Sequence, residues 1–155
     1  MRRIDQIVRE HRFFAGLTDA DVDLISGCAR NVAFAAGDYL CREGQPADRF
    51  FLLRHGRVAL EIAAPGHGAL TFQTLAEGEI VGVSWLVAPY RWQHDARALE
   101  PTRAIAMDAK CLRGKCDADH DLGYEMMQRF VPLLVQRLHA TVLQALDIYG
   151  DAHKS

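Results

Sequence analysis

The segment 40–56 constrains the fold more than any other part of the chain, because two glycine turns enclose a short apolar stretch. The turn at 43–46 precedes the apolar run 50–53, and the second turn follows at His55-Gly56. Glycine at both corners allows a positive φ, and Pro46 has no N–H to donate to a strand ladder. The pattern therefore predicts a strand on each side of both turns, with pairing interrupted at Pro46.

Similar turns recur through residues 32–108. They separate short apolar segments and lie at 36–38, 43–45, 55–56, 65–68 and 77–79. Many short strands with regularly spaced Gly and Pro turns are typical of sandwiches and jelly rolls. One segment also alternates in polarity, with apolar Val58, Leu60 and Ile62 between Arg57, Ala59 and Glu61. This alternation predicts a half-buried strand at 57–62.

Helical patterns flank this β-region. In residues 4–30, Thr18 and Asp21 resemble a capping box, and Val22, Ile25 and Ala29 then recur at helical spacing. Residues 120–149 form a longer helical pattern, in which Pro132 predicts a kink. Residues 1–155 are therefore predicted to be a single α+β domain that is mainly β, with no linker or internal repeat.

The long helix carries a coiled-coil pattern. Its seam recurs at alternating spacings of three and four and comprises Tyr124, Met127, Val131, Leu134, Leu138, Thr141, Ala145 and Ile148. Further apolar residues lie beside the seam, namely Met126, Phe130, Leu133, Val142, Leu143 and Leu146. One face can pack on the β-region while the seam pairs with a second copy. We predict a homodimer through residues 120–149; the alternative is that both faces form an intramolecular core.

In residue types and spacing, the segment 40–56 resembles the first signature of cyclic-nucleotide-binding domains, such as those of the catabolite activator protein and FNR regulators. The resemblance extends from about Phe13 to Tyr149. It implies a double-stranded β-helix jelly roll, with N-terminal helices (4–30), a β-roll (32–108) and a C-terminal dimerisation helix (120–149). It also implies cAMP or cGMP as a ligand, and Thr141 matches the helix threonine that reaches the adenine in these regulators.

The resemblance locates the ligand site in a cassette at residues 79–98. In the family a Gly-Glu pair opens the cassette, the Glu binds the ribose 2′-hydroxyl, and a later Arg binds the phosphate near a short helix N-terminus. Gly82 and Ala96-Arg97-Ala98 match this pattern, whereas Val83 stands at the Glu position and Trp92 at the Arg position. A hydrogen bond to a charged group contributes about 1.5–3 kcal/mol, so each replacement is expected to weaken binding about ten- to 150-fold.

Other residues of the cassette can compensate. Arg91 lies one position from the family arginine and supplies a guanidinium if the loop shifts register, although such a shift turns a side chain to the opposite face of a strand. Ser84 and nearby backbone N–H groups can donate to a phosphate. The candidate ligand-binding residues are Gly82, Val83, Ser84, Trp85, Arg91, Trp92, Gln93, His94 and Thr141.

An aromatic cluster in the cassette leaves two interpretations open. In the first, the rings stack on a planar ligand whose anion is bound by neighbouring cations, the group being Trp85, Tyr90, Arg91, Trp92, His94 and Arg97. In the second, Trp85 and Trp92 fill the former pocket as core residues. The protein is then a non-sensing protein-interaction module that has kept only the fold.

The cysteines prompt a third hypothesis. Cys28, Cys41, Cys111 and Cys116 are expected to be reduced thiols, because no signal peptide or membrane-length apolar run accompanies them. Cys111 and Cys116 lie close to several aspartates and His120, but no second thiol pair completes a metal site. A thiol or metal redox sensor, or a haem sensor that uses His94 or a cysteine, remains an alternative.

Catalysis and DNA binding find no support in the sequence. It contains no G-x-S-x-G, H-E-x-x-H or phosphate-binding P-loop motif, so we predict no enzymatic activity, and no metal site is predicted. A net charge of −2 and the lack of a recognition helix after residue 149 predict no direct DNA contact. We therefore expect a stand-alone cytoplasmic sensor or regulatory module that acts through an unknown partner protein, without membrane contact.

Overall fold

The N-terminal helices form where their capping pattern indicates. The structure is a computed structural model that describes the backbone of residues 3–152 and the side chains of residues 3–147. Helix α1 (Ile4–Glu10), a 3-10 turn (Arg12–Phe14) and helix α2 (Asp19–Ser26) precede the sheets. The Thr18 hydroxyl accepts a hydrogen bond from the Asp21 amide at 3.2 Å and so caps α2, as predicted.

The predicted helical span 4–30 extends too far at its C-terminal end. Strand β1 begins at Ala29, which pairs with Met107, and Arg30 pairs with Ala106. Ala29 fits the helical spacing of α2, but the ladder with a neighbouring strand decides its conformation. Local spacing therefore gives way to tertiary pairing at this boundary.

Eight strands in the described chain form two antiparallel sheets. They are β1 (Ala29–Phe34), β2 (Tyr39–Cys41), β3 (Arg49–His55), β4 (Val58–Ala64), β5 (Gly68–Leu75), β6 (Ile80–Val81), β7 (Asp95–Ala98) and β8 (Thr102–Asp108). One sheet has the order β1-β8-β3-β6 and the other the order β2-β7-β4-β5. Two four-stranded sheets of this kind form a jelly roll, which confirms the predicted fold class. Residues 29–108 are called the β-roll below.

Both turns of the segment 40–56 lie where the sequence predicts them. Gly44 and Gly56 have φ values of +85° and +105°. A Cβ atom at Gly56 would lie 2.4 Å from the Thr102 hydroxyl oxygen, so this corner also requires the close approach of β8. Between the turns, β3 is buried on both faces, because Phe50 packs on Phe130 and Phe51 packs on Phe34.

Strand β4 does not alternate as predicted. Residues 58–61 are all buried, including Glu61, whereas Ile62 is 42% exposed. This strand lies between β7 and β5, and a β-bulge between Leu60 and Glu61 shifts its register against β5. A bulge changes the face on which the following residues lie. The prediction of an outer face formed by Ala59 and Glu61 is therefore wrong.

Two helices follow the β-roll. Helix α3 (Ala109–Ala118) is not predicted by the sequence patterns, although the Asp108 carboxylate caps it by accepting a hydrogen bond from the Cys111 amide at 2.9 Å. Helix α4 (His120–Ala152) continues through Pro132 and extends beyond the predicted end at residue 149. None of the helices in the described range is sufficiently long and apolar to cross a membrane.

Helix α4 has a buried face and an exposed apolar face. Leu122, Met126 and Phe130 recur every four residues and are completely buried. The seam lies on the surface over its described part, and Leu138, for example, is 65% exposed. The seam residues as far as Ala145 are therefore not part of an intramolecular core, contrary to the alternative interpretation. The side chain of Ile148 lies outside the described residues.

The prediction of reduced thiols is wrong for two of the four cysteines. Cys28 and Cys111 form a disulfide with their Cα atoms 5.8 Å apart, across a sequence separation of 83 residues. The fold brings the start of β1 next to the first turn of α3, a contact that no local spacing could indicate. Cys41 and Cys116 are free, and burial raises the pKa of Cys41 to about 12.

Candidate functional site

The cassette (residues 79–98) contains β6 and the turn that follows it. Gly82 follows Val81 with a φ of +112°, and Val83 leads into a single 3-10 turn at Ser84–Leu86. The family resemblance implies a short helix whose N-terminus binds a phosphate. A three-residue turn aligns too few peptide dipoles to act in this way, so the structure does not support the expected helix-terminus site. Val83 is packed against the core, and Ser84 is half-buried at the start of the turn.

Trp92 lies against the backbone of Gly82. A Cβ atom at Gly82 would lie 2.5 Å from Cη2 and 2.9 Å from Cζ3 of the Trp92 indole, which is itself only 5% exposed. The indole therefore occupies the space next to the glycine at which the family pattern opens its ligand site. Glycine is needed at position 82 both for its positive φ and for this contact.

Trp85 joins the cassette to α4 through core contacts. Its ring stacks on Phe50 with centroids 4.7 Å apart and meets the Phe130 ring edge-on at 5.2 Å. Its indole Nε1 is buried without a hydrogen-bond partner among the described residues. Its carbonyl oxygen accepts a hydrogen bond from Arg113 Nη1 at 2.8 Å, so α3 also contacts the cassette.

Arg91 and Gln93 lie on the outer side of the cassette. Arg91 Nη1 donates to the Gly44 carbonyl at 2.9 Å, and Gln93 Nε2 donates to the Arg91 carbonyl at 3.3 Å. Both side chains are exposed, whereas Trp92 between them is buried. Successive residues of an extended segment point to opposite faces, so the inward position of Trp92 keeps Arg91 outside.

Arg97 is paired with an acid that the sequence analysis placed on the surface. Its Nε and Nη2 atoms donate to the two carboxylate oxygens of Glu61 at 2.8 and 3.1 Å. This bidentate pair lowers the pKa of Glu61 and occupies the inner donors of Arg97. The expectation that Arg97 binds an anion is therefore not supported.

His94 lies between two aromatic rings on the inner side of the β-roll. Its ring centroid is 5.6 Å from that of Phe72 and 6.0 Å from that of Trp92. Burial lowers the pKa of His94, and the positive charge of Arg137 lowers it further. The hydrogen bond between His94 Nδ1 and the Asp95 carbonyl oxygen opposes this lowering of the pKa.

Two residues of α4 donate hydrogen bonds to the β-roll, and Thr141 lies between them in the sequence. Arg137 Nη2 donates to the Ile80 carbonyl, and Gln144 Nε2 donates to the Phe72 carbonyl at 2.8 Å. Thr141 lies one turn beyond Arg137, and its exposed hydroxyl donates to the Arg137 carbonyl at 2.8 Å. Helical spacing places all three residues on neighbouring positions of one side of α4.

Two cavities lie away from the tryptophans of the cassette. The larger, about 550 Å³, is lined by residues of α1, β3 and β8, including Ile7, Leu53 and Arg103. The smaller, about 250 Å³, lies below Pro132 beside Glu79 and Ile80. Neither cavity is lined by Gly82, Trp85 or Trp92, which agrees with the packing of both indoles in the cassette.

Sequence reasoning missed three residues that shape this site. The alternation of strand 57–62 predicts Glu61 on the outer face, but the bulge breaks this alternation and Glu61 is buried. Arg113 lies in the helix that the patterns do not predict. Arg137 had a detectable signal, because it is a cation among the apolar residues of α4, close to Thr141. In the described part of the chain, His, Cys, Asp and Glu form no group of three or more that could hold a metal ion.

Comparisons with known proteins agree with this geometry. Among curated proteins, the chain is 23% identical over 145 residues to the "CRP-like cAMP-activated global transcriptional regulator" of Mycobacterium tuberculosis (strain CDC 1551 / Oshkosh), a match that covers 94% of this chain and 63% of that protein. The chain therefore spans less than two thirds of the length of this relative.

Solved structures superpose on most of the chain. A cyclic nucleotide-binding protein from Geobacter metallireducens GS-15 superposes with a TM-score of 0.77 at 29% identity, over 90% of this chain and 100% of that chain. The catabolite activator protein of Thermus thermophilus superposes with a TM-score of 0.70 at 22% identity, over 89% of this chain and 62% of that chain. At 22% identity, the likeness to the catabolite activator protein shows similarity of fold alone.

The family itself is identified by its sequence profile. The profile described as "Cyclic nucleotide-binding domain" matches residues 31–119, which is more than half of the chain and contains the whole cassette. Together with the jelly roll, the long following helix and the structural superpositions, this match shows that the chain belongs to the cyclic nucleotide-binding domain family.

Proposed function

We propose that this domain is a cytoplasmic sensor that binds a small ligand in the β-roll and signals through an α4-paired homodimer to a partner protein. The proposed ligand class is a cyclic nucleotide, cAMP or cGMP. The proposed role is regulatory, with binding and conformational change in place of catalysis.

The contact between the cassette and α4 carries this proposal. Phe130 of α4 meets the Trp85 ring of the cassette, and Arg137 donates to the carbonyl of Ile80 near the start of the cassette. A ligand that displaces either part of the cassette must therefore change the packing of α4. Buried contacts of this kind favour discrete alternative arrangements over continuous deformation, which is what a two-state sensor requires.

The exposed seam supports the dimer. Seam residues on the described part of α4 leave an apolar stripe on the surface, whereas the opposite face is buried against the β-roll. A second copy of α4 would cover this stripe in a parallel or antiparallel pair. The signal would then pass from the cassette to the dimer interface within one helix.

The inner surface of the β-roll supports a ligand with both a planar and a polar part. Ser84 and Thr141 offer hydroxyl groups, and His94 lies with Trp92 and Phe72 in an aromatic group. The replacement of the family Glu and Arg by Val83 and Trp92 predicts weaker binding than in domains that keep both. A dissociation constant in the micromolar range corresponds to about 8 kcal/mol.

Isothermal titration of cAMP and of cGMP into the purified protein tests the ligand, with light scattering of the free and saturated protein to determine its mass. We expect binding at micromolar concentrations to a dimer. Arg91→Ala should bind equally well, because Arg91 points outward. Loss of binding in that variant would show that the cassette shifts register around Arg91. Absence of both heat and thermal stabilisation at millimolar nucleotide would contradict the proposed ligand.

The contact between Trp92 and Gly82 favours a second candidate function. If the indole permanently fills the ligand space, the domain is a non-sensing interaction module with the same dimer. The replacement Trp92→Ala distinguishes the two functions, because it removes the ring from the cassette. A module with a filled pocket should bind cyclic nucleotide only in this variant, whereas a sensor should bind it already in the wild-type protein.

A further inference from the structure

One cation of α4 lies against the β-roll without an acidic partner among the side chains of residues 3–147. Arg137 is half-buried, and its Nη2 donates to the Ile80 carbonyl. Its Nε is buried and has no hydrogen-bond partner among the described residues. A buried N–H of a charged group without a partner is costly, and such a group needs an explanation in the function or in an absent ligand.

The nearest carboxylate does not neutralise Arg137. Glu79 raises the pKa of Arg137 only as the smaller influence, and burial lowers it overall. The Glu79 carboxylate instead accepts a hydrogen bond from the Ala76 amide at 3.2 Å. Within residues 3–147, no carboxylate lies within ion-pair distance of Arg137.

Two arginines within the cassette, Arg91 and Arg97, already use donors in the protein. Arg91 points outward and donates to the Gly44 carbonyl. Arg97 holds both oxygens of Glu61. Among these three arginines of the described chain, Arg137 is the one with an inner donor that remains unmatched.

The surroundings of Arg137 suit a planar anion. Its charge acts on His94, which lies between the rings of Phe72 and Trp92. Thr141 adds a hydroxyl group one turn further along α4. The cation Arg137 therefore acts on an aromatic group of the β-roll, and a guanidinium is well suited to bind a phosphate through two parallel hydrogen bonds.

We propose that Arg137 is the anion-binding residue of this domain and holds the phosphodiester of a cyclic nucleotide from the long helix, in place of an arginine in the cassette. This inference rests on the proposed function, because it names the residue that recognises the charge of the same ligand. The unmatched Nε–H supplies the first donor. A second donor comes from the same guanidinium when its bond to the Ile80 carbonyl is exchanged for the phosphate.

The location of this arginine has a regulatory consequence. Arg137 lies within the seam-bearing part of α4, three residues after Leu134 and one before Leu138. A ligand that binds Arg137 therefore contacts α4 directly, the helix through which the proposed dimer forms. The charge of the ligand, and not only its shape, would determine the position of α4.

The test compares cAMP with adenosine, which has the same base but no phosphate. Dissociation constants for both are measured by titration with the wild-type protein, Arg137→Gln and Arg137→Lys. The matched control is Arg129→Gln, because Arg129 also lies on α4 and donates to a backbone carbonyl, that of Ala15, but is paired with Glu125. Circular dichroism and thermal unfolding confirm that each variant is folded.

We expect Arg137→Gln to weaken cAMP binding at least about tenfold and adenosine binding hardly at all, so that the preference for cAMP over adenosine collapses. Arg137→Lys should retain part of that preference, and Arg129→Gln all of it. If Arg137→Gln weakens the binding of both ligands equally, or of neither, Arg137 only positions α4 and the inference is overturned. Binding of cAMP by the wild-type protein would then still support the proposed sensor function.

If the wild-type protein binds neither cAMP nor cGMP, the proposed ligand fails, and inorganic phosphate becomes the probe for Arg137. Thermal stabilisation by phosphate in the wild-type protein and in Arg129→Gln, but not in Arg137→Gln, would support an anion site with a different ligand. Equal stabilisation of all three proteins, or of none, would overturn the assignment of Arg137.

Discussion

Gly82 is the residue on which the packing of the cassette depends most. Its φ of +112° is unfavourable for other residues, and an added Cβ atom would lie 2.5 Å from the Trp92 ring and 3.1 Å from Phe50 Cβ. Gly82→Ala is therefore expected to lower the free energy of unfolding by about 2–4 kcal/mol. Chemical denaturation of the purified variant measures this change.

Gly114→Ala is the matched control for that experiment. Gly114 lies within α3, has an ordinary helical conformation, and an added Cβ atom would meet nothing within 4 Å. Alanine is favoured over glycine inside a helix by about 1 kcal/mol, so this variant should be more stable than the wild-type protein. Equal effects at the two positions would contradict the proposed packing of Trp92 on Gly82.

His11 gives the protein a pH-dependent stability. Its Nδ1 accepts a hydrogen bond from the Phe13 amide at 3.2 Å, and its Nε2 lies 3.1 Å from the Leu53 carbonyl, so the neutral ring satisfies both partners. Burial is the main cause that lowers the pKa of His11, Arg12 and Arg54 lower it further, and Glu77 opposes them. Protonation at Nδ1 would remove the bond from Phe13.

The sign of this dependence follows from the lowered pKa. The unfolded chain binds a proton at His11 more readily than the folded chain, so stability is complete above the ordinary value of 6.5 and decreases as the pH falls through the folded value. We expect the melting temperature to fall between about pH 7.5 and about pH 5.5, and to fall less in His11→Gln. An identical slope in both proteins would assign the effect to other groups, such as His94.

At the residue scale, sequence reasoning could locate positions but not partners. The family resemblance implies that Gly82, Val83 and Trp92 lie in the cassette, because the family motif is a continuous stretch of the chain. The burial of Glu61 with Arg97 depends on a bulge and on pairing with β7, which no pattern within 57–62 could indicate. The unmatched donor of Arg137 becomes visible only when α4 and β6 are side by side.

At the scale of the element, α4 combines a core face with a free seam. Leu138 is 65% exposed and lies in the seam, so under the proposed pairing of α4 we expect Leu138→Glu to place a charge in the interface of both copies. The dimer dissociation constant should rise at least about tenfold, because a buried carboxylate without a partner is costly. Sedimentation velocity over a range of protein concentrations measures the change.

Leu24→Glu controls for the introduction of a charge as such. Leu24 is a leucine of α2 that is 37% exposed and lies far from the seam in the chain. This variant should keep the wild-type mass and melting temperature. Dissociation in Leu24→Glu, or an unchanged dimer in Leu138→Glu, would argue that α4 does not form the interface.

The elements that sequence analysis predicted correctly are those with strong local signals. The long helix and the turns of the β-roll follow from periodicity and from glycine. Helix α3 escaped detection because Gly114 and its charged residues weaken the helical pattern, while its cap at Asp108 looks like the end of a strand. The prediction for β4 failed for a different reason. Its alternating pattern is clear in the sequence, but the bulge between Leu60 and Glu61 changes which residues are buried.

At the scale of the whole molecule, the disulfide between Cys28 and Cys111 links the first strand to α3. It closes a loop with a sequence separation of 83 residues, which contains the whole β-roll. Restricting the unfolded chain over such a loop contributes about 2–4 kcal/mol. Cys28→Ser and Cys111→Ser should each lose stability of this order, and reduction of the wild-type protein should have the same effect.

Cys116→Ser is the control, because Cys116 is free and lies on the same helix as Cys111. Its stability should still fall when the protein is reduced, whereas Cys28→Ser and Cys111→Ser should no longer respond to the reductant. Stability of all variants equal to that of the wild-type protein would show that the bond contributes nothing under the conditions of the measurement.

The length of α4 turns a small event at the cassette into a larger one elsewhere. The helix has 33 residues, and Phe130 contacts the cassette well before its end at Ala152. With a rise of 1.5 Å per residue, the segment after Phe130 acts as a lever about 33 Å long, and a tilt of about 5° at its fulcrum moves its tip by about 3 Å. Rearrangement of one tryptophan beside Phe130 would thus suffice to shift the lever tip by about the width of a water molecule.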